Sequence, residues 1–375
     1  MLDGRRCRGA KKGDNMGFFT LKNKTTNESI SPKQTSVFGE DIKNYTDFSV
    51  LEEKSYKSKS GLLPNEIYLL FNAEKILSDV QEYEITGIRF NPQPYLKKLM
   101  EGGFIEIGSL SDSLNLETTN NLKLILKNKG IDSPQKKSDI IKRILDQIDN
   151  TELDRNFPTK PFKLTEKGLQ ETKDNEYIQY ILTKDWYLTT INIWSLNQIV
   201  FCNQNTSYKG ALINYFIGQL DYFKAQHNWG SYSYFNFLIA DVFIDSDEYE
   251  QALPYSISAV IVDLMGGVYY NPNNDLSIFE EDIWSDDGEG PGLHNKRSAQ
   301  LQKIRIKVGL SEEVFKENIK QEFAKICYPI TSYSFTDLIE LITAIDNNEK
   351  DLIESVKEKG HKKFRTLYGL KLKGK

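Results

Sequence analysis

Apolar residues recur at intervals of three and four along most of the 375-residue chain, so helices dominate the expected fold. Leu62-Leu63-Pro64-Asn65-Glu66 opens the first helix, with Ile67, Leu70, Phe71, Ile76 and Leu77 on one face. A second, short helix is expected over 95–100, after the turn at Pro92 and Pro94. Gly102-Gly103 ends it, and Phe104-Ile105-Glu106-Ile107 reads as a strand. Residues 119–148 then predict two short helices split by a loop. Thr119 is placed to cap the first, on which Leu122, Ile125, Leu126 and Lys129 repeat at helical spacing. Gly130 falls where a left-handed C-cap is wanted, with Ile131 as its hydrophobic partner. Ser133-Pro134 is expected to reopen a helix, Ser as cap and Pro at the first position, and Ile140, Ile141, Ile144, Leu145 and Ile148 form its apolar face. Residues 162–168, FKLTEKG, read as one short strand entering a turn and are expected to pair with 104–107.

Downstream, 176–265 is dense in rings: Tyr177, Tyr180, Trp186, Tyr187, Trp194, Phe201, Tyr215, Phe216, Tyr222 and Phe223. Their helical spacing among Ile and Leu predicts a core and not a surface for stacking bases. A helix is expected over 300–308. Leu310-Ser311-Glu312-Glu313 starts another, with Ser311 as cap and Val314, Phe315, Ile319, Phe323 and Ile326 as its buried stripe. Residues 335–345 are apolar enough for a packed helix.

Composition adds boundaries. Hydrophobic residues make up 39% of the chain and no run of 18 apolar residues occurs, so nothing spans a membrane as a helix. Cys7, Cys202 and Cys327 lie far apart without a CxxC, which favours reduced thiols in a cytoplasm. His227, His294 and His361 are equally scattered, and neither they nor any other group suggests a metal or a cofactor. Residues 1–15 lack an apolar core and are no signal peptide. Lys12-Gly13-Asp14-Asn15-Met16 can be encoded with AGGAG shortly before an ATG, so 1–15 reads as a translated leader and Met16 as the start. Residues 16–60, rich in Ser, Thr, Asn and Lys, read as a flexible segment. A helical, winged-like region at 61–172, an aromatic helical domain at 173–295 and a helical C-terminal region at 296–375 follow.

The candidate chemistry is basic. Lys123, Lys127, Lys129, Lys136, Lys137, Lys142 and Arg143 stand between the two apolar faces of 119–148, in a chain whose net charge is −5. Leu122-Lys123, Leu126, Lys129-Gly130-Ile131, Lys136-Lys137, Asp139-Ile140-Ile141 and Arg143-Ile144 resemble the SAP domain, a small helix–extended loop–helix module associated with DNA binding. The resemblance covers about thirty of the 375 residues. It implies that these seven residues face a phosphate backbone, mostly without sequence preference. The family usually has Gly before its Lys-Lys pair; Gln135 stands here, where the loop should approach a phosphate. The helix, Gly turn and strand of YLKKLMEGGFI are similar to winged-helix DNA readers. With FKLTEKG, the whole resembles SAP-domain proteins of Gram-positive bacteria and their phages.

Acidic residues concentrate elsewhere. No Lys or Arg falls between Lys224 and Lys296, while thirteen Asp and Glu do. Residues 279–292 read as an irregular loop, in which Asp282, Asp286, Asp287 and Glu289 offer a surface to a basic protein partner. Metal-loop spacing fails there: counting back from Gly288 puts Ile283 and Ser285 where carboxylates should be. Residues 357–375 carry eight basic residues against Glu358 alone and suit either phosphate or the acidic interval. Asp247 to Leu253, with Ala259 and Asp263, resembles the second helix of a tetratricopeptide unit whose first helix would be 232–243; Ala240, Ala252 and Ala259 would permit close approach. No P-loop, HExxH or GxSxG occurs, so no enzyme is expected. The expected fold is mainly α, a SAP-like hairpin with a short flanking β element plus a helical domain with one tetratricopeptide-like hairpin. The expected function is sequence-independent DNA binding; a non-enzymatic protein-interaction scaffold is the competing reading.

Overall fold

Helices carry the architecture, as the apolar spacing requires. The computed structural model describes residues 48–85, 87–184, 191–284, 295–330, 332–347 and 349–368. Among them are eighteen α-helices and four three-residue strands. The leader reading of 1–15 lies outside the described residues. The chain divides into two compact units at Tyr208/Lys209.

In the first unit, α1 (Phe48–Glu53) begins inside the segment read as flexible. That reading is corrected from Phe48 on, because Leu51 is buried and the backbone beyond it is clamped. Tyr56 N donates to Asn197 Oδ1 at 2.8 Å, and Asn197 Nδ2 donates to Tyr56 O at 3.1 Å. The helix α2 (Pro64–Asn72) starts where Pro and a capping glutamate place it: Glu66 Oε2 accepts from Leu63 N at 2.8 Å. It stops at Asn72, so Ile76 and Leu77 do not share its face. They run extended beside 160–162, where Phe162 N donates to Ile76 O and Leu77 bridges Pro161. A hairpin follows, β1 (Tyr83–Ile85) with β2 (Ile88–Phe90), then α3 (Gln93–Glu101) and β3 (Ile105–Ile107). The FKLTEKG stretch supplies β4 (Phe162–Leu164), antiparallel to β3 with Ile105 opposite Leu164 and Ile107 opposite Phe162. Thr165 then caps α8 (Glu166–Asp174), and its Oγ1 donates to Gly103 O at 2.6 Å. A Cβ on Gly168 would lie 2.1 Å from the Phe104 carbonyl oxygen, so only glycine lets this helix turn onto β3.

Between β3 and β4 sit α4 (Leu110–Leu116), α5 (Thr119–Asn128), α6 (Lys137–Gln147) and α7 (Asn150–Asn156). They enclose one apolar cluster of Leu114, Leu122, Leu126, Ile140, Ile144 and Leu153, each fully buried, with Ile131 and Leu145 packed against it. Beyond β4 and α8 come α9 (Glu176–Leu182) and α10 (Ile193–Cys202).

The second unit holds α11 (Tyr208–Ala225), which begins at the boundary, then α12 (Trp229–Ile244), α13 (Tyr249–Leu264), α14 (Leu276–Trp284), α15 (Asn295–Val308), α16 (Glu312–Lys325), α17 (Phe335–Asn347) and α18 (Lys350–Tyr368). Every residue from Ser256 to Leu264 in α13 is buried, as a helix apolar on all sides must be. It forms a helical hairpin with α12 and is flanked by α15 and α16. Ala240, Ala252 and Ala259 are fully buried, and Ser233 Oγ reaches across to Ala259 O at 2.9 Å. Of the rings expected to be core, Phe216 is fully buried in this unit and Trp194 is buried in the first, whereas Phe201, also of the first unit, is exposed. Ser311 caps α16 by accepting from Val314 N. Val314 itself is exposed, since Phe315, Ile319 and Glu322 occupy the buried stripe one position away.

Candidate nucleic-acid interface

The first helix of the pair is capped one residue earlier than expected: Thr118 accepts from Asn121 N. Leu122 and Leu126 point into the cluster, which leaves Lys123, Leu124 and Lys127 on the other side. At its C-terminus Gly130 has φ +70°, Ile131 N donates to Leu126 O at 2.9 Å and Gly130 N to Lys127 O at 3.0 Å. This is the paired-bond stop that Lys129-Gly130-Ile131 predicts, with Ile131 packed on the core.

The loop is longer than expected. Ser133-Pro134 does not open a helix; α6 begins at Lys137, with Lys136 in extended conformation at the cap. No apolar residue lies between Ile131 and Ile140, so a helix started at Pro134 would have no face to bury. Side chains anchor the loop instead. Arg143 Nη1 donates to the Asp132 carbonyl at 2.8 Å, and Lys137 Nζ donates to the Asn115 carbonyl at 2.7 Å. Lys129 pairs with Glu152 of α7 at 2.6 Å.

These contacts sort the eight expected residues into two groups. Lys129, Lys137 and Arg143 are engaged within the module. The side chains of Lys123, Lys127, Lys136 and Lys142, and that of Gln135, make no hydrogen bond or ion pair among the described residues. Lys123 and Lys127, one helical turn apart, line an open groove of about 510 Å³ with Leu124, closed on its far side by Gly130, Ile131, Asp132 and Ser133. Leu124, more than half exposed, belongs to this surface, and sequence reading passed over it. The signal was its place between lysines at i and i+4.

The expected partner surface fares differently. Residues 279–284 are helical, not loop, because Phe279 and Ile283 stand one turn apart and are both buried. Asp286, Asp287 and Glu289 lie outside the described residues, as does the side chain of Asp282. Two other acids of the interval meet cations of their own unit. Asp263, on the buried helix α13, binds Arg297 of α15 and accepts from Ser233 Oγ at 2.7 Å. Glu280 binds His361 at 2.6 Å and Arg365, both on α18. Burial alone would raise the Glu280 carboxyl, yet the bonds from His361 and Arg365 outweigh it and hold the carboxyl below its ordinary range. Of the expected basic tail, 369–375 lie outside the described residues.

Among the described residues no three His, Cys, Asp or Glu cluster to hold a metal, and no helix is long and apolar enough to cross a membrane. Comparison of the chain with protein-family models and with curated proteins found no match.

Proposed function

We propose that the module formed by α5, the 129–136 loop and α6 binds duplex DNA through its phosphate backbone, with little dependence on base sequence. One observation carries the reading: the side chains of Lys123, Lys127, Lys136 and Lys142 have no partner among the described residues, on a module whose other three basic side chains hold its loop in place. Unpaired lysines on a rigid frame are poised to exchange counterions for phosphates, which is the sequence-independent part of DNA affinity. Loop and helix positions contribute together, as backbone contact requires. The scaffold reading rests on the acidic interval, and there Asp263 and Glu280 are already met by cations of the same unit. The chain is proposed as a binding protein, without catalysis.

Fluorescence anisotropy with two duplexes of unrelated sequence tests this. Both should bind at low salt, and Lys123→Ala/Lys127→Ala should weaken both alike. Lys129→Ala should leave affinity nearly unchanged, because that lysine is spent on Glu152. Equal losses from the two variants, or none, would refute the assignment. Gln135→Gly should tighten binding if the loop lies against a phosphate.

A further inference from the structure

A second cleft, in the same unit but apart from the lysine module, has the composition of a ligand site. It encloses about 640 Å³, within the size range of small-molecule pockets. Its floor is polar and buried. Glu171 of α8 is only 3% exposed; its Oε1 accepts from Asn175 Nδ2 at 3.0 Å, and its Oε2 takes part in no hydrogen bond among the described residues. Asn175 is 7% exposed and offers Oδ1, which is likewise unused. Tyr177, also buried, accepts from Asn197 Nδ2 at 3.0 Å and keeps its own O–H for another partner. A carboxylate oxygen and an amide oxygen that line a cleft without a protein donor are placed to accept from a bound ligand.

The rest of the wall says what that something is. Phe201 stands at the edge of the cleft, two-fifths exposed, backed by Tyr56 in a parallel stack at 3.7 Å. Lys57, Lys59 and Lys173 rim the opening and outnumber the exposed carboxylates Asp174 and Glu176 there; all three lysine side chains are exposed, and none makes a hydrogen bond or ion pair among the described residues. The cleft therefore asks for N–H donors at its floor, a flat ring at its wall and an anion at its mouth.

We infer that this cleft binds a guanine nucleotide. The Watson–Crick edge of guanine places an imino N–H beside an amino group, two donors for Glu171 Oε2 and Asn175 Oδ1. Adenine and cytosine set one donor beside an acceptor. The base would stack at Phe201, as bases do on aromatic rings, and the phosphate would meet Lys57, Lys59 and Lys173. Bonds from N–H groups to a carboxylate are the strong kind, so base choice resides in Glu171.

Titration calorimetry on the full chain, with GMP, AMP, guanosine and inorganic phosphate as probes, tests the inference. GMP should bind at least about tenfold tighter than AMP, the worth of one charged hydrogen bond, and tighter than guanosine or phosphate alone. Glu171→Gln keeps the side chain's shape but turns a donor toward the base, and should bring GMP down to the AMP level. Should that variant lose thermal stability, Lys57→Ala/Lys59→Ala/Lys173→Ala decides, since all three lysines are exposed: GMP should then bind no better than guanosine. No binding of GMP at about 1 mM, near the weak end of specific affinities, would overturn the inference. So would equal affinity for GMP and AMP, or tighter binding of phosphate than of GMP. Duplex binding by the lysine module is unaffected by any of these outcomes.

Discussion

Arg297→Met should destabilise the unit built on α13 severely. Arg297 and Asp263 are 8% and 1% exposed in their side chains, so neither charge has water to fall back on. Arg297 also donates to Ser233 Oγ at 2.6 Å and lies over the Phe237 ring at 5.9 Å. Methionine keeps much of the packing volume but strands the Asp263 carboxylate in the buried stretch Ser256–Leu264. Breaking a buried pair from one side costs about 3–5 kcal/mol. With a urea dependence near ~2 kcal/mol per molar, the midpoint of this unit should fall by about 2 M. The companion is Arg297→Met/Asp263→Leu, which removes both charges. Ser233 Oγ keeps its bond to the Ala259 carbonyl in that variant, so no hydroxyl is orphaned. The double variant should recover most of the loss, as apolar replacements of buried pairs do. A single variant within ~1 kcal/mol of wild type, well below the cost of an uncompensated buried charge, would refute the reasoning. A double variant no better than the sum of its singles would do the same.

Two further outcomes follow from the same geometry. Glu280 and Asp337 are both held below the ordinary carboxylate range against the opposing effect of burial, Glu280 by His361 and Arg365, Asp337 by Lys359 and Ser334. A depressed folded-state pKa gives stability that is present above the unfolded value and lost as pH falls through the folded one, so the melting temperature should drop below about pH 4–4.5. Glu280→Gln should be less stable than wild type at pH 7 and show a shallower acid loss; an unchanged pH profile would exclude the contact. Gly130→Ala should cost about 1–2 kcal/mol, since φ of +70° suits glycine and a Cβ there meets nothing within 4 Å, leaving only backbone strain. Urea denaturation measures it, and a neutral result would mean that the helix stop adjusts.

What could be read from the sequence was local. Lys129-Gly130-Ile131 announces its helix stop because the left-handed glycine and the hydrophobic residue after it are both in the string. The strand pair of 105–107 with 162–164 was legible because two short apolar runs flank one helical insertion. Ser133-Pro134 misled for the converse reason: it has the chemistry of a helix start, but the residues after it offer nothing to bury until Ile140. Phe48–Glu53 was missed because the backbone just after it, at Lys54 and Tyr56, is held by Gln198 and Asn197, far along the chain. The acidic interval seemed unanswered because Arg297 and Arg365 arrive from later helices. In the site itself, sequence supplied the lysines but not their division into four whose side chains are unengaged among the described residues and three basic side chains tied to Glu152, the Asn115 carbonyl and the Asp132 carbonyl. That division is a property of the loop's path.

The salt dependence of duplex affinity, measured for wild type and for Lys123→Ala/Lys127→Ala/Lys136→Ala/Lys142→Ala, addresses the central claim most directly. Each phosphate contact adds about 0.9 to the slope of log affinity against log salt, so the four changes together should flatten it by about 3–4. Affinity at low salt should fall for every duplex sequence tried. A wild type that binds no duplex at ~50 mM salt, where electrostatic contacts are favoured, or a quadruple variant with the wild-type slope, would contradict the account.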